Sequence, residues 1–319
     1  MRRSHRFFIP GLAAMLVLSF GTEVFAWGPA THVQIASDLL ANLWLLPAGL
    51  AGLIAGYRRH FLYGAVATDT VLAKKFSRVK QVCHRWTTGF GLLEEARTDS
   101  AKAFAYGYLA HLAADTVAHN KYLPRQMAVS RSTVTFGHPY WEIRADALVE
   151  KPHWMELRKV LRGTYAEPEK MMRDRLSETL LSYRTNRVLF KRVNLLTSLR
   201  GWRKSVDFWS HLSRFALDPD VLNAYRAESL DRISDLLTHG HASSIVYEDP
   251  NGNAALAQAK AQRRQLRQMK WAGMPHAHII REAAAGLAPT EQRTPTRVQS
   301  ANASTESLSV TGIVRDPVS

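Results

Sequence analysis

The stretch SAKAFAYGYLAHLAADTVAHNKY, residues 100–122, predicts a long helix that carries His111, Asp115 and His119. These three residues stand at i, i+4 and i+8. Each four-residue step turns a helix by only about 40°, so the three side chains share one face. The residues between them are Leu, Ala, Thr and Val. Ionisable groups on an apolar helix cost folding free energy unless they are paired or bind a metal, so the pattern favours a metal site.

A second pair of candidate ligands lies downstream. His138 and Glu142 stand at i, i+4 on the next predicted helix, which has Pro139 just inside its start and Pro152 as a kink or division. Such a pair is a weak signal by itself. Asp146 lies one step further along the same face, and we expect it to partner the ligands rather than to be one.

Upstream of the long helix, the candidates are His32, Asp69 and His84. Asp69 is chosen partly by elimination, because the other carboxylate between the two histidines, Asp38, lies roughly 240° from His32 on the same helix. His84 stands in a basic segment typical of a protein surface, so its assignment rests on the whole pattern. The complete set suits zinc and exceeds what one tetrahedral ion can bind, which implies a cluster.

The first 26 residues have the three zones of a secretory signal peptide. A basic start precedes an apolar stretch, and Val24-Phe25-Ala26 ends in small residues that a signal peptidase reads. The alternative is an uncleaved anchor, although the apolar run is shorter than the about 20 residues that span a bilayer. Cleavage would give Trp27 a free amine beside its own carbonyl oxygen, and these two atoms could chelate one metal ion.

Composition limits the partners. The formal net charge is +15, and loss of the predicted signal peptide leaves 293 residues and a charge of +13. A basic exported protein meets phospholipid surfaces or nucleic acid, although a generally basic surface explains the charge equally well. Cys83 is the single cysteine, so no intrachain disulfide can form. It is either a ligand or, more commonly for a lone cysteine, a buried thiol.

The apolar spacing predicts an all-α protein, a multi-helix bundle whose facing helices could project ligands inward. Thr31 is a plausible cap for the first helix, Pro47 restarts a second helix, and residues 58–98 are expected to be loop with short helices. A basic helix is expected over residues 254–285, after a turn at Asp249-Pro250-Asn251-Gly252-Asn253. We predict four regions: a signal peptide at 1–26, a helical domain at 27–200, a further helical region packed on it at 201–285, and a disordered tail at 286–319.

The order of these residues resembles that of the zinc-dependent phospholipase C family, whose fold and trinuclear zinc site are shared by the single-strand-specific zinc nucleases. The resemblance covers roughly residues 27–200 and implies three zinc ions. It assigns Asp69, His84, His111 and Asp115 to the first ion. It assigns His119, His138 and Glu142 to the second, and Trp27, His32 and Asp115 to the third. One departure is that well-known members place five residues between the helix aspartate and the next histidine, where this chain has three.

The resemblance implies an exported phosphodiesterase in which zinc activates a water. Asp69 and Asp115 are the expected catalytic residues, since Asp69 could accept the proton of the attacking water and Asp115 would bridge two ions. Phospholipase C is preferred because Glu142 stands where the nucleases have aspartate and because disulfides are absent. A nuclease is the first alternative, with Trp44, Trp86 and Trp141 as candidate base-stacking platforms. A non-catalytic, membrane-associated zinc protein is the second.

Overall fold

The computed structural model describes residues 27–70, 82–130, 134–176, 182–199, 218–275 and 277–290, with isolated positions between 201 and 217 and only the backbone at 134–139. Within these ranges the chain is helical and has no β-strand, which confirms the predicted all-α class. The predicted signal peptide and almost all of the predicted tail lie outside the described residues. No helix in the described part of the chain is long and apolar enough to cross a lipid bilayer.

The helices are numbered in chain order. They are α1 Pro29–Ala41, α2 Ala48–Gly56, α3 Arg58–Ala67, α4 Trp86–Glu95, α5 Asp99–Val117, α6 Leu123–Ser130, α7 Val134–Ala147, α8 Lys151–Arg162, α9 Ala166–Arg175, α10 Tyr183–Thr197, α11 Pro219–His239, α12 Asn253–Trp271 and α13 Ala277–Gly286. A π-helical stretch, Ala118–Tyr122, joins α5 to α6, and short 3₁₀ turns include Thr68–Thr70 and Val82–His84.

The central helix is α5, which packs against α3, α4 and α11. From residue 107 to 117 every residue of α5 is buried. The approach to α3 is so close that a Cβ on Gly64 would meet the Phe104 carbonyl oxygen, and a Cβ on Gly107 would meet that of Phe61. Glycine at both positions therefore allows the two backbones to touch, and this contact brings the end of α3 beside the C-terminal half of α5.

The start of α1 is held by a side chain from another helix. The Asp146 carboxylate on α7 accepts hydrogen bonds from the Ala30 amide (3.2 Å), the Thr31 amide (2.9 Å) and the Thr31 hydroxyl (2.7 Å). It satisfies amides that a helix leaves unpaired at its N-terminus. Gly28 precedes the helix, and a Cβ there would collide with this carboxylate. The expectation that Thr31 caps α1 is therefore wrong, because Thr31 lies inside the helix and Asp146 supplies the cap.

Other differences from the sequence prediction have local causes. In the segment at 58–98, expected to be loop with short helices, residues 58–67 form the ten-residue helix α3, because Phe61, Leu62 and Val66 are all buried against the core. Helix α7 begins five residues before Pro139, whereas Pro152 does mark a division, since it stands in the first turn of α8. The predicted C-terminal helix is two helices, α12 and α13, separated around Gly273, which has a φ of +67°.

Candidate metal centre

Four of the predicted ligands converge on one buried position. Asp69 comes from the 3₁₀ turn after α3, His84 from the turn before α4, and His111 and Asp115 from α5. His84 Nε2 lies 3.2 Å from Asp69 Oδ1 and 3.3 Å from Asp115 Oδ2. His111 Nε2 lies 3.1 Å from Asp115 Oδ2, 3.4 Å from His84 Nε2 and 3.8 Å from Asp69 Oδ1. All four residues are about 1% exposed.

These separations fit a tetrahedral zinc ion. Ligand atoms about 2.0–2.1 Å from zinc, at tetrahedral angles, are roughly 3.3 Å from one another. The ring orientation of His111 fits as well, since its Nδ1 lies 2.9 Å from the Ala65 carbonyl oxygen. A carbonyl oxygen only accepts, so Nδ1 carries the hydrogen and the Nε2 lone pair faces the cluster, as is usual for a metal-binding histidine. Two imidazole Nε2 atoms at 3.4 Å from each other are well explained by a shared cation.

Asp115 is the centre of the cluster because its two oxygens face different partners. Oδ2 faces His84 and His111, whereas Oδ1 lies 3.4 Å from His32 Nε2. The His32 ring, which α1 positions, stacks on the His111 ring with 3.8 Å between centroids. Two triads, His32–Asp69–His111 and His84–His111–Asp115, each place possible ligand atoms within 4.8 Å of one another. The geometry suits a carboxylate that bridges two ions.

The titration behaviour keeps these groups in the forms that bind metals. Burial raises the pKa of Asp115, but the charge and hydrogen bond of His111 and the hydrogen bonds of His32 and His84 outweigh it and hold the pKa well below its usual value. Burial, followed by the charge of His111, lowers the pKa of His32. Near neutral pH the cluster therefore contains an anionic carboxylate and a neutral imidazole, which are the protonation states that zinc requires.

The structure describes the positions of the remaining predicted ligands less completely. His119 is fully buried on the π-helical stretch, with Nε2 3.9 Å from Asp115 Oδ2. It thus stays on the helical path, as its short spacing from Asp115 predicts, and π-helical turns are frequent at functional sites. Glu142 is half-buried on α7. His138 lies on the same helix, but its side chain is outside the described part of the structure. The second ion's ligand set stays a prediction.

Trp27 is the first described residue. Its side chain is fully buried, and its ring stacks on Tyr122 with 4.6 Å between centroids. This fixes the position of residue 27, five residues before His32. Whether its amine is free depends on cleavage after Ala26, which stays a prediction. Cys83 is buried, and its sulfur lies 3.3 Å from the Nδ1 of His84, beside the cluster.

A distant turn supports two of these ligands. Asn251 Nδ2 donates a 2.9 Å hydrogen bond to the His84 carbonyl oxygen. Gly252, with a φ of +59°, lies against His119, so that a Cβ would come within 2.5 Å of its carbonyl oxygen. Asn120 Nδ2 donates to the Asp249 carbonyl oxygen at 3.1 Å. The sequence indicates this turn through its Pro, Asn and Gly residues, but no local signal connects it with the ligands about 130–170 positions earlier.

Fold and cluster together define an all-α protein with a buried centre of histidine and aspartate side chains suited to zinc. Comparison with known families specifies the class further. The family described as zinc-dependent phospholipase C matches residues 31–192, about half of the chain. The chain belongs to the zinc-dependent phospholipase C family, which confirms the resemblance found in the sequence. No curated protein and no solved structure matches it.

Proposed function

We propose that this protein is an exported zinc-dependent phospholipase C that hydrolyses the phosphodiester of glycerophospholipids. The observation that carries the proposal is the convergence of Asp69, His84, His111 and Asp115 at the separations of zinc ligands, in a chain of this family. Glu142, where the related nucleases have aspartate, supports lipid as the substrate.

The residues of the chain prepare the site for this chemistry. When bound, zinc supplies a Lewis acid that lowers the pKa of a water and neutralises charge on phosphate oxygens. Asp115 holds His32 on one side and His84 with His111 on the other, and the Ala65 carbonyl orients His111. Asp69, buried beside His84, is the group proposed to accept the proton of the attacking water.

Cleavage of single-stranded nucleic acid is the second candidate, and the net charge of +13 after loss of the signal peptide suits a polyanion, as it also suits an anionic lipid surface. The aromatic side chains give it mixed support. Trp44 is 67% exposed and available for stacking. Trp86 is half-buried and donates from Nε1 to the Glu248 carbonyl oxygen, whereas Trp141 is fully buried and cannot be a stacking platform.

A substrate comparison tests the proposal. Purified mature protein is incubated with phosphatidylcholine or phosphatidylethanolamine micelles and, separately, with single-stranded DNA and RNA. We expect diacylglycerol release, loss of activity after chelation and recovery on adding zinc. Degradation of nucleic acid with no action on phospholipid would replace this proposal by the nuclease. Full activity after exhaustive chelation would remove zinc from the reaction.

We further propose that cleavage of the signal peptide after Ala26 gives Trp27 the free amine that helps to hold the third ion. Mass spectrometry of protein recovered from the periplasm or medium should give Trp27 as the first residue. Placing one extra residue before Trp27 should lower the zinc content by one ion, because the amine becomes an amide. An intact Met1 in fully metallated, active protein would contradict this.

A further inference from the structure

Helix α12 lies outside the family match and connects the metal centre with the protein surface. It begins at Asn253, directly after Gly252, whose backbone lies against His119. Its 19 residues include five lysines and arginines and no acidic residue. At 1.5 Å per residue the helix is about 28 Å long. The first of these charges is Lys260, seven residues after Asn253, so the positive charges begin about 10 Å along the helix from the end that lies beside His119.

The two sides of α12 differ. Leu256, Ala259 and Leu266 are buried, and the helix packs against α6 and the π-helical stretch. An exposed stripe at i, i+4, i+7 and i+11, a spacing that spans only about 60° of arc, lies next to this buried side. Its members are Lys260, Arg264, Arg267 and Trp271. We call this set the basic stripe.

The end of the basic stripe is aromatic. Trp271 is 77% exposed, and the Arg267 guanidinium lies over its ring at 5.2 Å from the centroid. Met274, just beyond the helix, is 48% exposed. Lysine and arginine side chains on a protein surface are attracted to anionic lipid headgroups. Tryptophan rings favour the headgroup level of a bilayer.

We propose that the basic stripe docks on an anionic phospholipid bilayer and so presents the metal centre to the membrane surface. The inference rests on the proposed phospholipase activity and adds where that activity takes place. Charge complementarity favours this partner, because a bilayer is an extended anionic surface and the stripe is an unbroken cationic one. A second copy of the chain would bring like charges together. A nucleic-acid strand would need successive aromatic platforms, and the stripe has a single one at its end.

Vesicle binding by the full mature chain tests the proposal. The probes are sedimentable vesicles of phosphatidylcholine alone and of phosphatidylcholine mixed with phosphatidylglycerol. One variant replaces Lys260, Arg264 and Arg267 with glutamine. The matched control replaces Arg162, Lys170 and Arg173 with glutamine, which removes the same charges from exposed positions on α8 and α9. Hydrolysis of short-chain phosphatidylcholine, dissolved as monomers, reports on the metal centre without a membrane.

We expect the wild type and the control variant to bind the mixed vesicles much more tightly than pure phosphatidylcholine. The stripe variant should lose about 100-fold in affinity for the mixed vesicles, as about 1 kcal/mol per basic residue near an anionic surface implies. Hydrolysis of monomeric lipid should be the same in all three proteins. Equal vesicle binding by all three would overturn the docking inference and leave the phospholipase proposal intact.

Two other outcomes would also overturn docking on a bilayer. The stripe variant could lose binding to a single-stranded oligonucleotide and keep vesicle binding, which would make nucleic acid the partner. It could instead change the oligomeric state in solution, which would make the stripe an interface between copies. Vesicle binding without any hydrolysis of monomeric lipid would count against the phospholipase proposal and leave the docking surface standing.

Discussion

The metal centre and helix α12 hold charge in opposite ways. In the centre, Asp69, Asp115 and the histidines are buried, with side-chain atoms about 3–4 Å apart. On α12, the lysine and arginine side chains of the basic stripe are exposed to water. Charges interact strongly where water is excluded and weakly where water and salt screen them. The position of each group therefore decides what the centre can do, whereas the number of charges decides what the helix attracts.

The largest effect should follow from a substitution in the centre. Asp115→Asn keeps the shape of the side chain and removes the charge that faces histidines on both sides. Loss of a single preorganised electrostatic group typically costs about 100- to 1000-fold in rate. Because Asp115 serves two sides, we expect about a 1000-fold loss or more in phospholipid hydrolysis, together with a lower zinc content by metal analysis.

The control for this substitution lies on the same helix. Asp99→Asn makes the same chemical change in the exposed first turn of α5. We expect its zinc content and hydrolysis rate to remain at the wild-type level. If the two variants behave alike, the effect of Asp115→Asn comes from the helix and not from the cluster, and the comparison between buried and exposed charge loses its basis.

A smaller effect is expected at the turn that supports the centre. Gly252→Ala places a methyl group against His119, and Gly273→Ala places one at a similar φ with nothing within 4 Å. Both should lose about 1 kcal/mol of folding free energy from the positive φ. Gly252→Ala alone should also weaken zinc binding, by about 10- to 100-fold, as for other groups that support ligands. Chelator competition on the folded proteins measures this difference, and equal zinc affinity would show that the turn does not position His119.

Much of the centre could be predicted from the sequence because a helix converts spacing into geometry. The spacing of His111, Asp115 and His119 places all three side chains on one face of the helical path, whichever way the rest of the chain folds. The supporting contacts could not be predicted in the same way. Asn251 bonds to His84 and Asp146 caps α1 across more than 100 residues of sequence. Only the packing of the whole bundle decides such contacts.

The segment at residues 58–98 shows the same limit on the fold. Its glycines and basic residues predict loop with short helices. In the folded chain, Gly64 is the position at which α3 meets α5. Glycine thus ends a helix in one place and permits close packing of two helices in another. The spacing of glycines in the sequence does not distinguish these two roles.

Burial lowers the pKa of His32 below its ordinary 6.5. A histidine that folding keeps neutral should make the free energy of unfolding depend on pH by up to about 1.4 kcal/mol per pH unit, an effect that the exposed basic stripe does not produce. Below pH 6.5 the unfolded chain then binds protons that the folded chain does not, so the free energy of unfolding falls as the pH falls. Denaturant unfolding of metal-free protein at several pH values measures this slope.

The variant that checks the pH effect is His32→Asn, which should reduce the slope below pH 6.5. Asp115 does not produce a slope there, because its lowered pKa affects stability only near and below the ordinary value of 3.8. An unchanged slope in the His32 variant would mean that this imidazole is not kept neutral by burial.

The smallest effect on folding should come from a substitution at the exposed end of helix α12. Trp271→Ala removes a ring that is 77% exposed, so the free energy of unfolding should change by less than about 0.5 kcal/mol. Affinity for vesicles that contain phosphatidylglycerol should nevertheless fall several-fold, as measured by sedimentation. A loss of several kcal/mol in stability would show that this ring packs on the protein and is not available to a membrane.

The contact of Gly64 and Gly107 has a consequence for how this protein can change during evolution. Neither residue has a side chain that could bind a metal or touch a lipid. Yet a single methyl group at either position would force α3 away from α5, and Asp69 would move with it. Natural variation should therefore be as restricted at this helix crossing as at the ligands themselves. The distance between the axes of α3 and α5 would then be conserved among related proteins, as the ligands are.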